Sequence, residues 1–75
     1  MDKNVNHIKL LDVVALLHAI PEKDFIKGEV GTIVEQFDED NFEVEFSNEK
    51  GQTTNSIVLN SKDLIVLHFK GAIAV

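Results

Sequence analysis

The sequence lacks cysteine, tryptophan and tyrosine, and its five aromatic residues are all phenylalanine. The absence of cysteine excludes disulfides, thiol nucleophiles and thiolate metal sites. Basic residues are also scarce, since 7 Lys and Arg face 13 Asp and Glu, for a formal net charge of -6. An acidic surface repels phosphate and anionic lipid and favours basic partners. We therefore expect a basic protein partner, and neither nucleic acid nor a membrane.

No long uninterrupted hydrophobic run is present. The longest apolar stretch, residues 10–20, contains Asp12 and His18, and it is shorter than the ~20 residues that span a bilayer. It also lacks the basic segment that precedes the apolar part of a signal peptide, so we expect a cytoplasmic protein. A chain of 75 residues with 44% hydrophobic residues has the length of one small domain.

The stretch Lys27-Gly28-Glu29-Val30-Gly31-Thr32-Ile33-Val34 is the most informative part of the chain. Gly28 can supply the positive φ of a tight turn. Gly31 lies inside a strand pattern, where glycine indicates a bulge, a bend or a close backbone approach. The stretch predicts a strand over residues 29–37 that bends at the corner of a small β-barrel.

Strict alternation in Phe42-Glu43-Val44-Glu45-Phe46 predicts a half-buried antiparallel strand with its two glutamates on the outer face. Gly51 is suited to the hairpin turn that follows. Further strands are predicted over residues 52–59 and 65–67, separated by a single helical or 3₁₀ turn capped by Asn60 or Ser61. Residues 7–20 fit either a helix or a strand by their periodicity alone, and residues 25–26 are expected to fold over one end of the core.

Three segments together, LLDVVALL at 10–17, GEVGTIVE at 28–35 and FEVEF at 42–46, resemble a bacterial family of short proteins known only as a domain of unknown function. The resemblance implies an all-β fold, a small five-stranded SH3-like barrel with one short 3₁₀ or helical turn before the last strand. It also implies that residues 12–19 form the first strand. The expected organisation is a flexible segment 1–6, the barrel 7–69 and an apolar tail 70–75.

Two more distant similarities concern the glycine turn. The pattern Lys27-Gly28-x-x-Gly31-x-Ile33 is similar to the KOW motif of ribosomal proteins and transcription elongation factors, and to a turn in the barrel of the nitrile hydratase beta subunit. These likenesses imply two alternative functions: binding of nucleic acid or the ribosome, and support of an enzyme as an accessory barrel. Nucleic-acid contacts would then come from Lys23, Phe25 and Lys27.

The residues that could carry chemistry do not form a recognisable site. The three histidines have irregular spacing for a metal site, and they are His7, His18 and His68. Glu43 and Glu45 lack the cleft that a pair of catalytic carboxylates must flank, and no serine lies in a nucleophile elbow. We therefore expect no enzymatic activity, no cofactor and no metal.

The function expected from these observations is a small protein-interaction module. The gene arrangement associated with the family suggests that it acts as the antidote or accessory partner of a protein encoded nearby. Six acidic residues are predicted to contact the partner: Asp38, Glu39, Asp40, Glu43, Glu45 and Glu49. The apolar tail offers a second interaction, a homodimer formed through Ile73, Ala74 and Val75.

Overall fold

The computed structural model of the protein describes residues 7–48 and 50–68. It contains five strands and two short 3₁₀ turns, at Pro21–Lys23 and Ser61–Asp63. The strands are β1 (Val13–Leu16), β2 (Val30–Gln36), β3 (Asn41–Ser47), β4 (Thr53–Asn60) and β5 (Leu64–Val66). They form one antiparallel sheet in the order β4-β3-β2-β1-β5, so the last strand pairs with the first. The expected all-β fold of five strands, with a 3₁₀ turn directly before the last strand, is confirmed.

The core lies on the inner face of the sheet. The alternation predicted for β3 is confirmed, because Phe42, Val44 and Phe46 are at most 1% exposed while the glutamates between them are only half-buried. Residues from the other strands and from two loops complete the core, namely Ile8, Val14, Leu16, Phe25, Ile33 and Leu64. The inner face of β3 therefore forms the centre of the hydrophobic core.

Gly31 allows a close approach between β2 and β3. A Cβ atom at this position would lie 2.7 Å from Val44 Cγ1 and 2.9 Å from the carbonyl oxygen of Glu45. Glycine was predicted here for a bulge, a bend or a close backbone approach, and the close approach is observed. The bulge of β2 lies three residues later, between Ile33 and Glu35. Gly28 and Gly51 have φ of +92° and +80°, which confirms their predicted role in turns.

The first strand is shorter than predicted. The family resemblance implied a strand over residues 12–19, whereas β1 covers only Val13–Leu16. The next residue, Leu17, donates its N–H to the carbonyl oxygen of Asp63 in the second 3₁₀ turn at 2.9 Å. The chain leaves the sheet there because Ile20 pairs with Phe25 and Pro21 begins the first 3₁₀ turn.

The prediction that residues 25–26 cover the core is right for one residue and wrong for the other. Two backbone hydrogen bonds between Ile20 and Phe25, of 2.9 and 3.2 Å, close a tight loop in which Asp24 adopts φ of +63°. This loop turns Phe25 into the core, where it is 7% exposed, and leaves Ile26 68% exposed. Adjacent extended residues point in opposite directions, so only one of the two can be buried.

The second 3₁₀ turn is capped as expected, because the Asn60 side chain accepts a hydrogen bond from Lys62 N–H at 3.0 Å. β5 begins one residue earlier than predicted, at Leu64, which is 1% exposed. Residues 7–48 and 50–68 contain no helix of the length and hydrophobicity needed to cross a bilayer. The predictions for segments 1–6 and 70–75, including the dimer through Ile73 to Val75, lie outside the described residues.

Candidate partner-binding surface

The outer face of the sheet brings three glutamates together. Residues directly opposite each other on antiparallel strands share a face. Glu35 of β2 lies opposite Glu43 of β3, which in turn lies opposite Val58 of β4. One pair further along the sheet, Glu45 lies between Thr32 and Ser56. We call the outer surface formed by Thr32, Glu35, Glu43, Glu45, Ser56 and Val58 the acidic face.

The carboxylates of the acidic face form no ion pair with another described residue. Like charges directly opposite each other on neighbouring strands are destabilising, and Glu35 and Glu43 form such a pair. Ser56 Oγ donates a hydrogen bond of 2.8 Å to Glu43 Oε2. Within the described part of the chain, neither these glutamates nor Glu45 forms an ion pair with a lysine or a histidine. The face therefore presents negative charge that the fold itself does not neutralise.

The net charge of the chain is concentrated in this region. Residues 30–47, which comprise β2, β3 and the turn between them, contain six acidic residues and no Lys or Arg. The remaining seven acidic residues are balanced in number by the seven lysines elsewhere. The formal charge of -6 thus belongs to one hairpin, and a charged partner would be drawn toward that hairpin.

Asp38 differs from the other predicted contact residues because it holds the turn between β2 and β3. Its Oδ1 atom accepts hydrogen bonds from Asp40 N–H at 2.8 Å and from Asn41 N–H at 2.9 Å. The Asn41 side-chain amide also donates to both carboxylate oxygens at 3.0 Å. The Asn41 amide, followed by the Asp40 N–H, lowers the pKa of Asp38 below its usual value. Asp38 therefore stabilises the turn as a carboxylate.

The other five predicted acidic contacts do not all lie on the same surface. Glu43 and Glu45 lie on the acidic face. Glu39 and Asp40 are exposed in the turn at the end of this face, and the carbonyl oxygen of Asp40 accepts a hydrogen bond from Ser61 N–H at 2.8 Å. Glu49 lies outside the described residues. Glu35 was not predicted, because its place opposite Glu43 depends on the bulge in β2.

The residues assigned to nucleic-acid contact do not form a stacking surface. Lys23 and Lys27 are exposed on the loop between β1 and β2. Phe25 between them is buried, and its ring centroid lies 4.4 Å from that of Phe46. A base can stack only on an exposed ring, so Phe25 is a core residue and its proposed role in nucleic-acid contact is withdrawn.

His18 lies apart from the other two histidines. His18 Nε2 lies 4.0 Å from Asp63 Oδ1, whereas His7 and His68 line a cleft of about 550 Å³ beside β5, together with Asp12. Within residues 7–48 and 50–68, no three side chains of the types that bind metals are grouped as a candidate site.

A cleft beside β4 was not predicted from the sequence. It has a volume of about 520 Å³ and lies between the β1–β2 loop, which contributes Ile20, and residues 56–59 of β4. Glu43 also lines it, so the cleft borders the acidic face. The sequence did contain one sign that this edge of the sheet is open to contact, since β4 (Thr53–Asn60) has no charged residue. Edge strands usually carry charges that prevent pairing with other chains.

The comparisons with known proteins identify the family. Residues 10–66 match the family model described as Domain of unknown function (DUF4926). The chain belongs to this family. The match confirms the resemblance to a domain of unknown function stated on the LLDVVALL, GEVGTIVE and FEVEF segments. Neither the curated proteins nor the solved structures gave a match.

Proposed function

We propose that this member of the family is a small protein-interaction module whose acidic face binds a basic surface of a partner protein. The observation that carries the proposal is the cross-strand arrangement of Glu35, Glu43 and Glu45, none of which forms an ion pair with another described residue. A fold selected for stability alone would place opposite charges across the strands, where each such pair contributes about 0.2–1 kcal/mol.

Electrostatic complementarity of this kind determines how fast and how specifically partners associate. The exposed Glu39 and Asp40 extend the negative charge to the end of the β2–β3 hairpin, where they would contact the rim of a bound partner. The apolar side chain of Val58, which is 58% exposed beside Glu43, adds a hydrophobic contact near the centre. The same arrangement suits an antidote that covers a basic site on a partner encoded nearby.

The test is capture of partners from the native host with three forms of the tagged protein. The first is the wild type, the second carries Glu43→Gln and Glu45→Gln, and the third carries Asp12→Asn and Asp24→Asn. The control removes the same number of charges from the loops around β1. Asparagine tolerates the positive φ of residue 24, and at position 12 it still offers an acceptor for Lys9 N–H.

We expect a basic protein, identified by mass spectrometry, to be retained by the wild type and the control and lost by the glutamine variant. We also expect its binding to weaken as salt is raised toward 1 M, where the screening length falls to about 3 Å. Equal recovery with all three forms, or no specific protein at low salt, contradicts the proposal.

A further inference from the structure

The two edges of the sheet are β4 and β5. β5 has three residues and β4 has eight. In residues 7–48 and 50–68, β4 pairs with β3 alone. A long edge strand with no charged side chain is a template for pairing with another chain, so β4 is the edge that can accept a further strand.

The hydrogen-bond pattern shows which residues of β4 face outward. Ser61 N–H donates to Asp40 C=O at 2.8 Å, at a position that continues the β3–β4 register of Asn41 with Asn60. Bonded and non-bonded pairs alternate along an antiparallel ladder. The backbone groups of Ile57 and Leu59 therefore point toward β3, while those of Ser56 and Val58 point away from the sheet.

The β2–β3 ladder supports the same assignment independently. Phe37 N–H donates to Asn41 C=O at 2.9 Å, which directs the backbone of residues 41 and 43 toward β2. Residues 42 and 44 of β3 must then bond to β4, and their partners are Leu59 and Ile57. Both ladders thus leave the amides and carbonyls of Ser56 and Val58 directed at the outer edge.

A strand added at this edge would meet two different surfaces. Its side chains alternate between the two faces of the sheet. On the outer face they would lie beside Ser56 and Val58, with Glu43 and Glu45 one strand further in. On the other face they would enter the cleft of about 520 Å³ lined by Ile20, Ile57 and Leu59. Glu22, Lys23 and Glu43 also line that cleft, and its apolar residues favour aliphatic side chains where they are in contact with the added strand.

We infer that β4 accepts an additional strand from the partner protein, formed by an extended segment in which lysine or arginine alternates with aliphatic residues. The backbone hydrogen bonds to Ser56 and Val58 supply the register, and the alternation of charge and hydrophobicity supplies the specificity. The inference rests on the proposed function, because it uses the charge of the acidic face, but it adds the edge as the site of contact.

The probe is a synthetic hexapeptide, acetyl-Lys-Val-Lys-Ile-Lys-Val-amide, compared with acetyl-Lys-Lys-Lys-Val-Ile-Val-amide of identical composition. Binding is measured by NMR titration of the protein amide signals, and amide hydrogen exchange is followed in the free and saturated protein. We expect the alternating peptide to bind at least about tenfold more tightly. We also expect the amides of Ser56 and Val58 to exchange quickly in the free protein and to become protected on binding.

Val58→Pro removes one outward-facing N–H, and proline is tolerated at such positions of an edge strand. Val58→Thr keeps the N–H and the β-branched shape. We expect the proline variant to bind the alternating peptide at least about tenfold more weakly than the threonine variant, because neither variant keeps the valine side chain and only the threonine variant keeps the N–H. The exchange measurement on the wild-type protein tests the same point without any substitution, so it stands even where the proline variant fails to fold.

Three outcomes would overturn the inference. One is equal binding of both peptides without protection of Ser56 and Val58, which leaves the acidic face as a simple charged surface and the proposed function intact. Another is no binding of the alternating peptide up to about 1 mM while the native partner is still captured. The third is protection of both amides in the free protein together with a dimeric mass, because a second copy would then occupy the edge.

Discussion

The inner and outer faces of β3 differ sharply in how well they suit a stable fold. On the inner face, Phe42, Val44 and Phe46 are almost completely buried, and the Phe46 ring packs against that of Phe25. On the outer face, Glu43 lies opposite another glutamate. One strand thus combines strong hydrophobic packing with unfavourable electrostatics. The difference indicates that the inner face determines the fold and that the outer face is available for binding.

The largest expected effect comes from removing a ring on the inner face. Phe46→Ala should reduce the free energy of unfolding by about 3–5 kcal/mol, because it removes buried area and leaves a cavity. That is a large fraction of the stability of a small domain, which is about 5 kcal/mol at the low end of the usual range. Urea denaturation followed by far-UV circular dichroism measures the change without requiring tryptophan.

Phe37→Ala is the matched control for this prediction, since Phe37 is 54% exposed just after β2. A surface substitution of this kind usually changes stability by no more than about 0.5 kcal/mol. Similar losses for the two variants would show that burial on the inner face of β3 does not dominate the stability of the barrel.

The next effect tests the close approach of β2 to the inner face of β3. Gly31→Ala should cost about 1–3 kcal/mol through overpacking, because the new methyl group would lie within 3.0 Å of Val44, Phe46 and the Glu45 carbonyl. The comparison variant is Gly28→Asn, where no atom lies within 4 Å of a Cβ and asparagine tolerates positive φ. Thermal unfolding measures the loss of stability in each variant. A larger loss for Gly28→Asn than for Gly31→Ala would contradict the steric explanation.

Much of this difference between the two faces was predictable from the sequence. The alternation of Phe42 to Phe46 fixes which side chains share a face, since the period of a strand is two residues. The turn glycines were also recognisable, because Gly28 and Gly51 each precede or follow a pattern typical of a strand. These predictions succeeded where a local pattern has a single structural interpretation.

The remaining features depend on pairing between distant segments. Glu35 lies opposite Glu43 only because β2 contains a bulge between Ile33 and Glu35, and one inserted residue changes the face of every residue that follows. The exposed edge of β4 and the cleft beside Ile20 are consequences of strand order. The end of β1 at Leu16 likewise depends on the pairing of Ile20 with Phe25, which no local pattern encodes.

The smallest expected effect is the most informative about the outer face. Glu43→Gln removes the repulsion from Glu35 while leaving an oxygen that can accept the Ser56 hydroxyl, so the free energy of unfolding should rise by about 0.2–1 kcal/mol. Glu45→Gln is the control on the same strand and face, because its cross-strand neighbours, Thr32 and Ser56, are uncharged. The difference between the two variants should shrink near 1 M salt, where the screening length is about 3 Å. If Glu43→Gln instead lowers stability at low salt, the Glu43 carboxylate stabilises the fold, and the unneutralised charge of the acidic face no longer supports a role in binding.

A gain in stability together with loss of the captured partner would show that the outer face of β3 retains its charge for binding at the expense of folding.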